Sequence, residues 1–144
     1  NMASSLIVGG LKVGMNVAVA TPDGYKPDGA VLEFTKGYGD KFSLETDPFM
    51  AASGADILIT DTWTSMGEEA EKEERKKIFK DYQINRQLLA AANAGAMVQH
   101  CLPAYRGQEI TEEVFEEHAD EIFNEAENRL HAQKAVMVKL MKKD

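Results

Sequence analysis

The chain has 144 residues, of which 44% are hydrophobic and 28% charged. That is the size of one domain and the composition of a globular chain, not a disordered one. The net charge of -8 argues against binding a nucleic-acid backbone, which needs clustered Lys and Arg. No apolar run approaches the ~20 residues of a membrane span, and no signal peptide opens the chain. Cys101 is the single cysteine, which excludes an internal disulfide and thiolate-rich metal sites and fits a cytoplasmic protein. His100, His118 and His131 have no metal-ligand spacing, so no metal is expected. The chain starts at Asn1 with no initiating methionine and reads as beginning inside a larger protein.

In chain order, Met2, Leu6, Gly9-Gly10 and Val13 fall at three- to four-residue spacing and predict a helix over 2–13. The glycine pair would let this helix pack closely on a neighbour, and Gly14 is its stop. Met15 to Ala20 is a short β-branched run, read as a buried strand. A turn-rich loop from Thr21 to Gly29 follows. Ala30 to Tyr38 is a weak helix, broken by Gly37 and Gly39. Lys41 to Thr46 alternates through Phe42 and Leu44, as an edge strand would. Asp47 caps a short helix to Ser53, with Pro48 at its first position. Asp56 to Thr60 is a second strong strand.

Glu68 to Lys80 carries mixed charges at helical spacing and reads as an exposed helix. Asn85 to Asn93 is a further helix, rich in Leu and Ala. Ala96 to Gln99 is the third strong strand. Thr111 caps a brief helical turn, Ile122-Phe123 reads as a last short strand, and Glu125 to Met141 as a long terminal helix. Strands alternating with helices predict an α/β fold, a three-layer Rossmann-like parallel sheet. Such sheets usually hold five or more strands; three strong and one or two weak ones make this one look incomplete. Residues 1–144 are expected to form one domain, the terminal helix 125–141 included.

Two strand ends concentrate the chemistry. One is His100-Cys101-Leu102-Pro103 after Ala96-Met97-Val98; the other is Asp61-Thr62-Trp63-Thr64-Ser65-Met66-Gly67 after the strand 56–60. In open α/β sheets, ligands bind outside the carboxyl ends of strands. Cys101 has three readings: a packing thiol, a pocket-lining thiol, or a nucleophile. The last is geometrically poor with its neighbour His100, because adjacent strand residues face opposite sides. Pro103 holds the backbone there, so the carbonyls of Cys101 and Leu102 could face a ligand amide. Asp61 would bind an ammonium group or take its proton, or else cap the following loop. Ser65 and the amides around Met66 could hold a carboxylate. Arg129 stands at the start of the terminal helix, where a salt bridge to a nearby glutamate is its simplest role.

Taken together, Asn1-Met2, MNVAVATPDGYKPD, DTWTSMG, HCLPAYRGQE and EAENRLHAQKAVMV resemble the carboxyl-terminal, ornithine-binding half of the ornithine carbamoyltransferases. The match runs in order across nearly the whole chain, and the resemblance implies that the sheet's first, central strand, which precedes Asn1 in the family, is lacking from these residues. The resemblance implies transfer of the carbamoyl group of carbamoyl phosphate to the δ-amine of L-ornithine, without a cofactor, in a homo-oligomeric parent. It implies that Asn1 and the backbone of Met66 hold the amino-acid carboxylate, and Asp61 and Ser65 its α-ammonium. Cys101, with Asp61 nearby, would orient the δ-amine, while Cys101, Leu102 and Arg129 contact the carbamoyl group. The family's phosphate-binding Ser-Thr-Arg-Thr-Arg motif does not occur in these residues, so the chain alone is not expected to be competent. Competing readings are a transcarbamylase for another amine, such as putrescine or an acylated ornithine, and a non-catalytic amino-acid-binding or assembly module. A nucleotide-binding Rossmann domain is weaker, because no GxGxxG follows a strand.

Overall fold

The structure is a computed structural model that describes residues 1–64 and 71–142. Helix α1 (Met2–Lys12) leads through a turn at Gly14 into strand β1 (Val17–Ala20). The predicted close approach is there. A Cβ on Gly10 would sit 2.9 Å from Val17 Cγ2, while one on Gly9 would meet nothing within 4 Å. Glycine at position 10 is what lets α1 lie down on β1.

Asp28 caps α2 (Gly29–Thr35) by accepting the Ala30 N–H. A 3-10 stretch, Lys36–Lys41, then carries the chain through Gly39 at φ 55 to β2 (Phe42–Glu45). Asp47 caps α3 (Pro48–Ala52) through the Phe49 N–H, with the proline at the helix start. Strand β3 (Ile57–Thr60) follows, then α4 (Lys72–Phe79), a 3-10 turn at Lys80–Tyr82, α5 (Arg86–Leu89), β4 (Met97–His100), α6 (Glu112–Glu117) and α7 (Ala119–Met141).

The strands form two parallel pairs, β1 with β2 and β3 with β4. Among the described residues no ladder joins one pair to the other. Helices α1 and α3 pack on β1, and α7 packs on β4. The core lies under the β3–β4 half: Leu58, Ile84, Leu88, Val98, Ile110, Val114, Phe115 and Ile122 are buried together. The class is the expected α/β arrangement of short parallel strands and covering helices.

Two elements depart from the sequence-based expectation. Ile122-Phe123 is not a strand; it belongs to α7, which begins at Ala119 instead of Glu125. Ile122 is fully buried and Phe123 half-exposed, the uneven pair that one helical face produces. Acidic helix formers on both sides and the absence of a strand partner decide the matter. The Asn85–Asn93 helix is a single turn, Arg86–Leu89, capped by the Asn85 side chain on the Gln87 and Leu88 N–H groups. Beyond it, Asn93 donates to the Gly54 carbonyl and to Asp56. The expected charged helix is α4 where the chain is described, Lys72–Phe79; positions 68–70 lie outside the described residues.

The first turns of α7 cover the outer edge of β4. Glu121 Oε2 accepts the Val98 backbone N–H at 2.8 Å and a bond from His118 Nδ1 at 2.9 Å. The far half of α7 presents Val136, Met137, Val138, Leu140 and Met141 to solvent. No helix among the described residues is long and apolar enough to cross a membrane.

Candidate functional site

The parallel register pairs Thr60 with His100 at the last rung of the β3–β4 ladder. Asp61 and Cys101, each the next residue in its strand's path, therefore leave the sheet side by side at one carboxyl edge. Asp61 is half-buried and accepts its neighbour's Thr62 N–H with Oδ1 at 2.8 Å. That oxygen performs the loop-capping role foreseen as one alternative.

Cys101 is 4% exposed. Burial pushes its thiol up from the usual 9.0 to about 11; the Asp61 and Glu125 carboxylates add to the effect and Arg129 opposes it. A thiol so placed stays protonated at neutral pH, which disfavours the nucleophile reading and leaves a neutral, weakly hydrogen-bonding group.

Arg129 is not at the start of the terminal helix, nor is a glutamate the partner it finds. It lies in the middle of α7, and its Nη1 donates to the Cys101 carbonyl at 2.7 Å. Leu102 leaves that carbonyl in the left-handed region, φ 51, with its N–H donated to His100 Nδ1 at 2.9 Å and a cis bond to Pro103. Behind the loop His100 and Glu109, both fully buried, meet at 3.0 Å between Nε2 and Oε1. The same oxygen accepts the Tyr105 N–H at 2.6 Å.

The structure thus brings together Asp61, Cys101, Leu102 and Arg129. Ser65 and Met66 lie outside the described residues. The loop that leads to them is anchored as far as Trp63: its ring stacks on Phe79 at 6.1 Å, and its carbonyl accepts from Arg75 Nη1 at 3.3 Å. Asn1 is exposed and opens α1 without a side-chain capping bond. Because α1 turns back onto β1, Asn1 lies toward that strand's carboxyl end, on the half of the fold carrying β1 and β2.

Two residues were not singled out from the sequence. Glu125 sits four positions before Arg129 on α7, and its charge is felt by Cys101. That i, i+4 spacing was the available signal. Glu109 had none, because its role depends on a loop closing over it.

Residues 1–140 match the family model described as aspartate/ornithine carbamoyltransferase, Asp/Orn binding domain. The chain is 55% identical to the ornithine carbamoyltransferase of Gloeobacter violaceus, over 98% of its own length and 46% of that protein's. Its fold superposes on the crystal structure of the anabolic ornithine carbamoyltransferase of Campylobacter jejuni with a TM-score of 0.91 at 44% identity, covering 97% of this chain and 48% of that one. On the crystal structure of the Gloeobacter violaceus enzyme the TM-score is 0.83 at 50% identity, covering 97% and 47%. The chain belongs to the aspartate/ornithine carbamoyltransferase family, through its Asp/Orn-binding domain. It spans about half the length of the curated relatives it matches.

Proposed function

We propose that residues 1–144 form the ornithine-binding domain, α7 included, of an ornithine carbamoyltransferase that makes L-citrulline and phosphate from L-ornithine and carbamoyl phosphate. The observation that carries this reading is the convergence at one sheet edge of Asp61, Cys101 and the Arg129–Cys101 carbonyl bond of 2.7 Å. Family membership supports it.

The reaction needs a neutral δ-amine next to an electrophilic carbonyl carbon. In this reading Asp61 binds the ammonium group and draws a proton from it. The neutral Cys101 thiol beside it orients the resulting amine without competing as an anion. The carbonyls of Cys101 and Leu102 accept from the carbamoyl NH2, and Arg129 donates to the carbamoyl oxygen as negative charge develops there. The new N–C bond forms as the C–O bond to phosphate breaks. Phosphate leaves with the electron pair and takes up the proton that the amine nitrogen loses as the N–C bond forms. Asn1 and the Met66 backbone would hold the α-carboxylate, and Asp61 and Ser65 the α-ammonium. Holding both reactants in line is the larger part of the rate gain.

The phosphate of carbamoyl phosphate needs cationic and amide donors beyond those assembled here, so activity requires the carbamoyl-phosphate half. A homo-oligomeric parent in the cytoplasm, where both metabolites are available, completes the proposal. The test is citrulline formation. The isolated chain given both substrates should make none above background, and the full-length protein should use L-ornithine in preference to putrescine, N-acetylornithine or aspartate. A full-length protein that ignores ornithine would overturn the reading.

A further inference from the structure

His100 opens the most distinctive motif of the chain, yet its ring does not enter the site. It is fully buried, and both ring nitrogens are engaged behind the loop that forms the site's wall. The geometry points to His100 and Glu109 as positioning residues that hold the Cys101 and Leu102 carbonyls toward the carbamoyl group. This rests on the transferase reading above.

Leu102 adopts a left-handed conformation, φ 51, which an L side chain enters only at a cost. A conformation of this kind persists where its surroundings over-determine it. Here the Leu102 N–H is held by His100 Nδ1 at 2.9 Å. A backbone N–H can only donate, so Nδ1 must carry the lone pair and the ring proton must sit on Nε2. That proton points at Glu109 Oε1, 3.0 Å away. Glu109 in turn accepts the Tyr105 N–H with the same oxygen, clamping the loop on its far side.

The chain of bonds therefore runs from Tyr105 through Glu109 and His100 to the peptide between Cys101 and Leu102, whose carbonyl is the one Arg129 grips. Glu109 selects the tautomer, the tautomer supplies the acceptor, and the acceptor sets the direction of the Cys101 and Leu102 carbonyls. Glu109 Oε2 is buried with no partner among the described residues. A carboxylate kept half-satisfied in a core costs stability, which is more readily understood if its other oxygen sets a geometry that function needs.

The experiment is a variant series in the full-length transferase. Asparagine places its amide oxygen near Nδ1 and can still accept the Leu102 N–H. Glutamine places its nitrogen near Nε2 and cannot. We expect His100→Gln to lower kcat about 10- to 100-fold per folded active site, with KM for ornithine within about threefold, because the carbonyls act on the reacting group and not on the amino-acid end. His100→Asn should recover part of that loss, and Glu109→Gln, which keeps the accepting oxygen, should exceed Glu109→Ala.

A second readout does not depend on turnover: two-bond nitrogen–proton NMR of histidine-labelled protein should show His100 as the neutral Nε2–H form at pH 7. The idea fails if His100→Gln keeps wild-type kcat per folded site, if asparagine is no better than glutamine, or if NMR finds the Nδ1–H form or the imidazolium. A wild-type protein that does not carbamoylate ornithine would instead count against the function, and the tautomer result would still decide the geometry.

Discussion

Glu121 accepts the backbone N–H of Val98 at 2.8 Å, so a helix side chain occupies the hydrogen-bonding place a neighbouring strand would take on the outer edge of β4. Val98 is fully buried, and an unpaired N–H there would bear its whole desolvation cost. Glu121 makes this bond from the first turn of α7.

Glu121→Ala should therefore destabilise the protein by about 1–3 kcal/mol, the usual cost of orphaning a buried donor. Glu121→Gln keeps an accepting oxygen and should cost less than half as much. Urea denaturation of the two variants checks the ordering. Equal losses would mean that the bond to Val98 is not what the carboxylate contributes.

The glycine pair in α1 gives a second contrast. Gly10→Ala gains up to about 1 kcal/mol of helix propensity. It also drives a Cβ to 2.9 Å from Val17 Cγ2, a stiff β-branched group that cannot swing aside. Overpacking of this kind costs about 1–3 kcal/mol, so the net effect should be a lowered melting temperature. Gly9→Ala meets open space and should raise it. Thermal melts of both variants would show the opposite signs.

Cys101 provides the pH prediction. Its thiol titrates near 11 in the folded protein, against 9.0 ordinarily. Below about pH 9 the thiol is protonated in both folded and unfolded chains, and its contribution to stability is fully present. Between 9 and 11 the unfolded chain releases the proton while the folded one keeps it, so stability falls as pH rises through that window. Alkylation of the native protein by iodoacetamide should stay slow from pH 7 to 9 and accelerate only toward 11, while the denatured chain reacts readily at 9. Rapid native alkylation at pH 8 would contradict this placement of the thiol.

Asp61→Asn nearly keeps the shape at the end of β3 but removes the charge that faces the bound amine in the proposed mechanism. In the full-length protein it should lower kcat/KM for ornithine about 10- to 100-fold, while the affinity for carbamoyl phosphate alone changes by less than about threefold. Steady-state kinetics and direct binding of carbamoyl phosphate separate the two effects.

Much of this protein was legible in local patterns because local physics governs them. The caps at Asp47 and Thr111 were readable from residue type, and each accepts the N–H group a cap should. The strands β1, β3 and β4 were readable as short apolar runs between turn residues. Asp61 and Cys101 could be placed at strand ends because a strand's end is itself a local feature.

Tertiary structure alone decided the rest. Parallel register set Asp61 beside Cys101; local patterns showed two strand ends, and only the family resemblance implied that they were neighbours. Packing of Ile122 beneath β4 drew a segment with strand propensity into α7 and moved Arg129 from a helix start to a helix middle, within reach of the Cys101 carbonyl 28 positions away. Burial changed Cys101 from a possible nucleophile into a protonated thiol. It also turned Glu109, unremarkable in the chain, into the partner that fixes the tautomer of His100. Caps and strand propensities are set by near neighbours along the chain. Register, burial and hydrogen bonds between distant residues exist only once the chain has closed on itself.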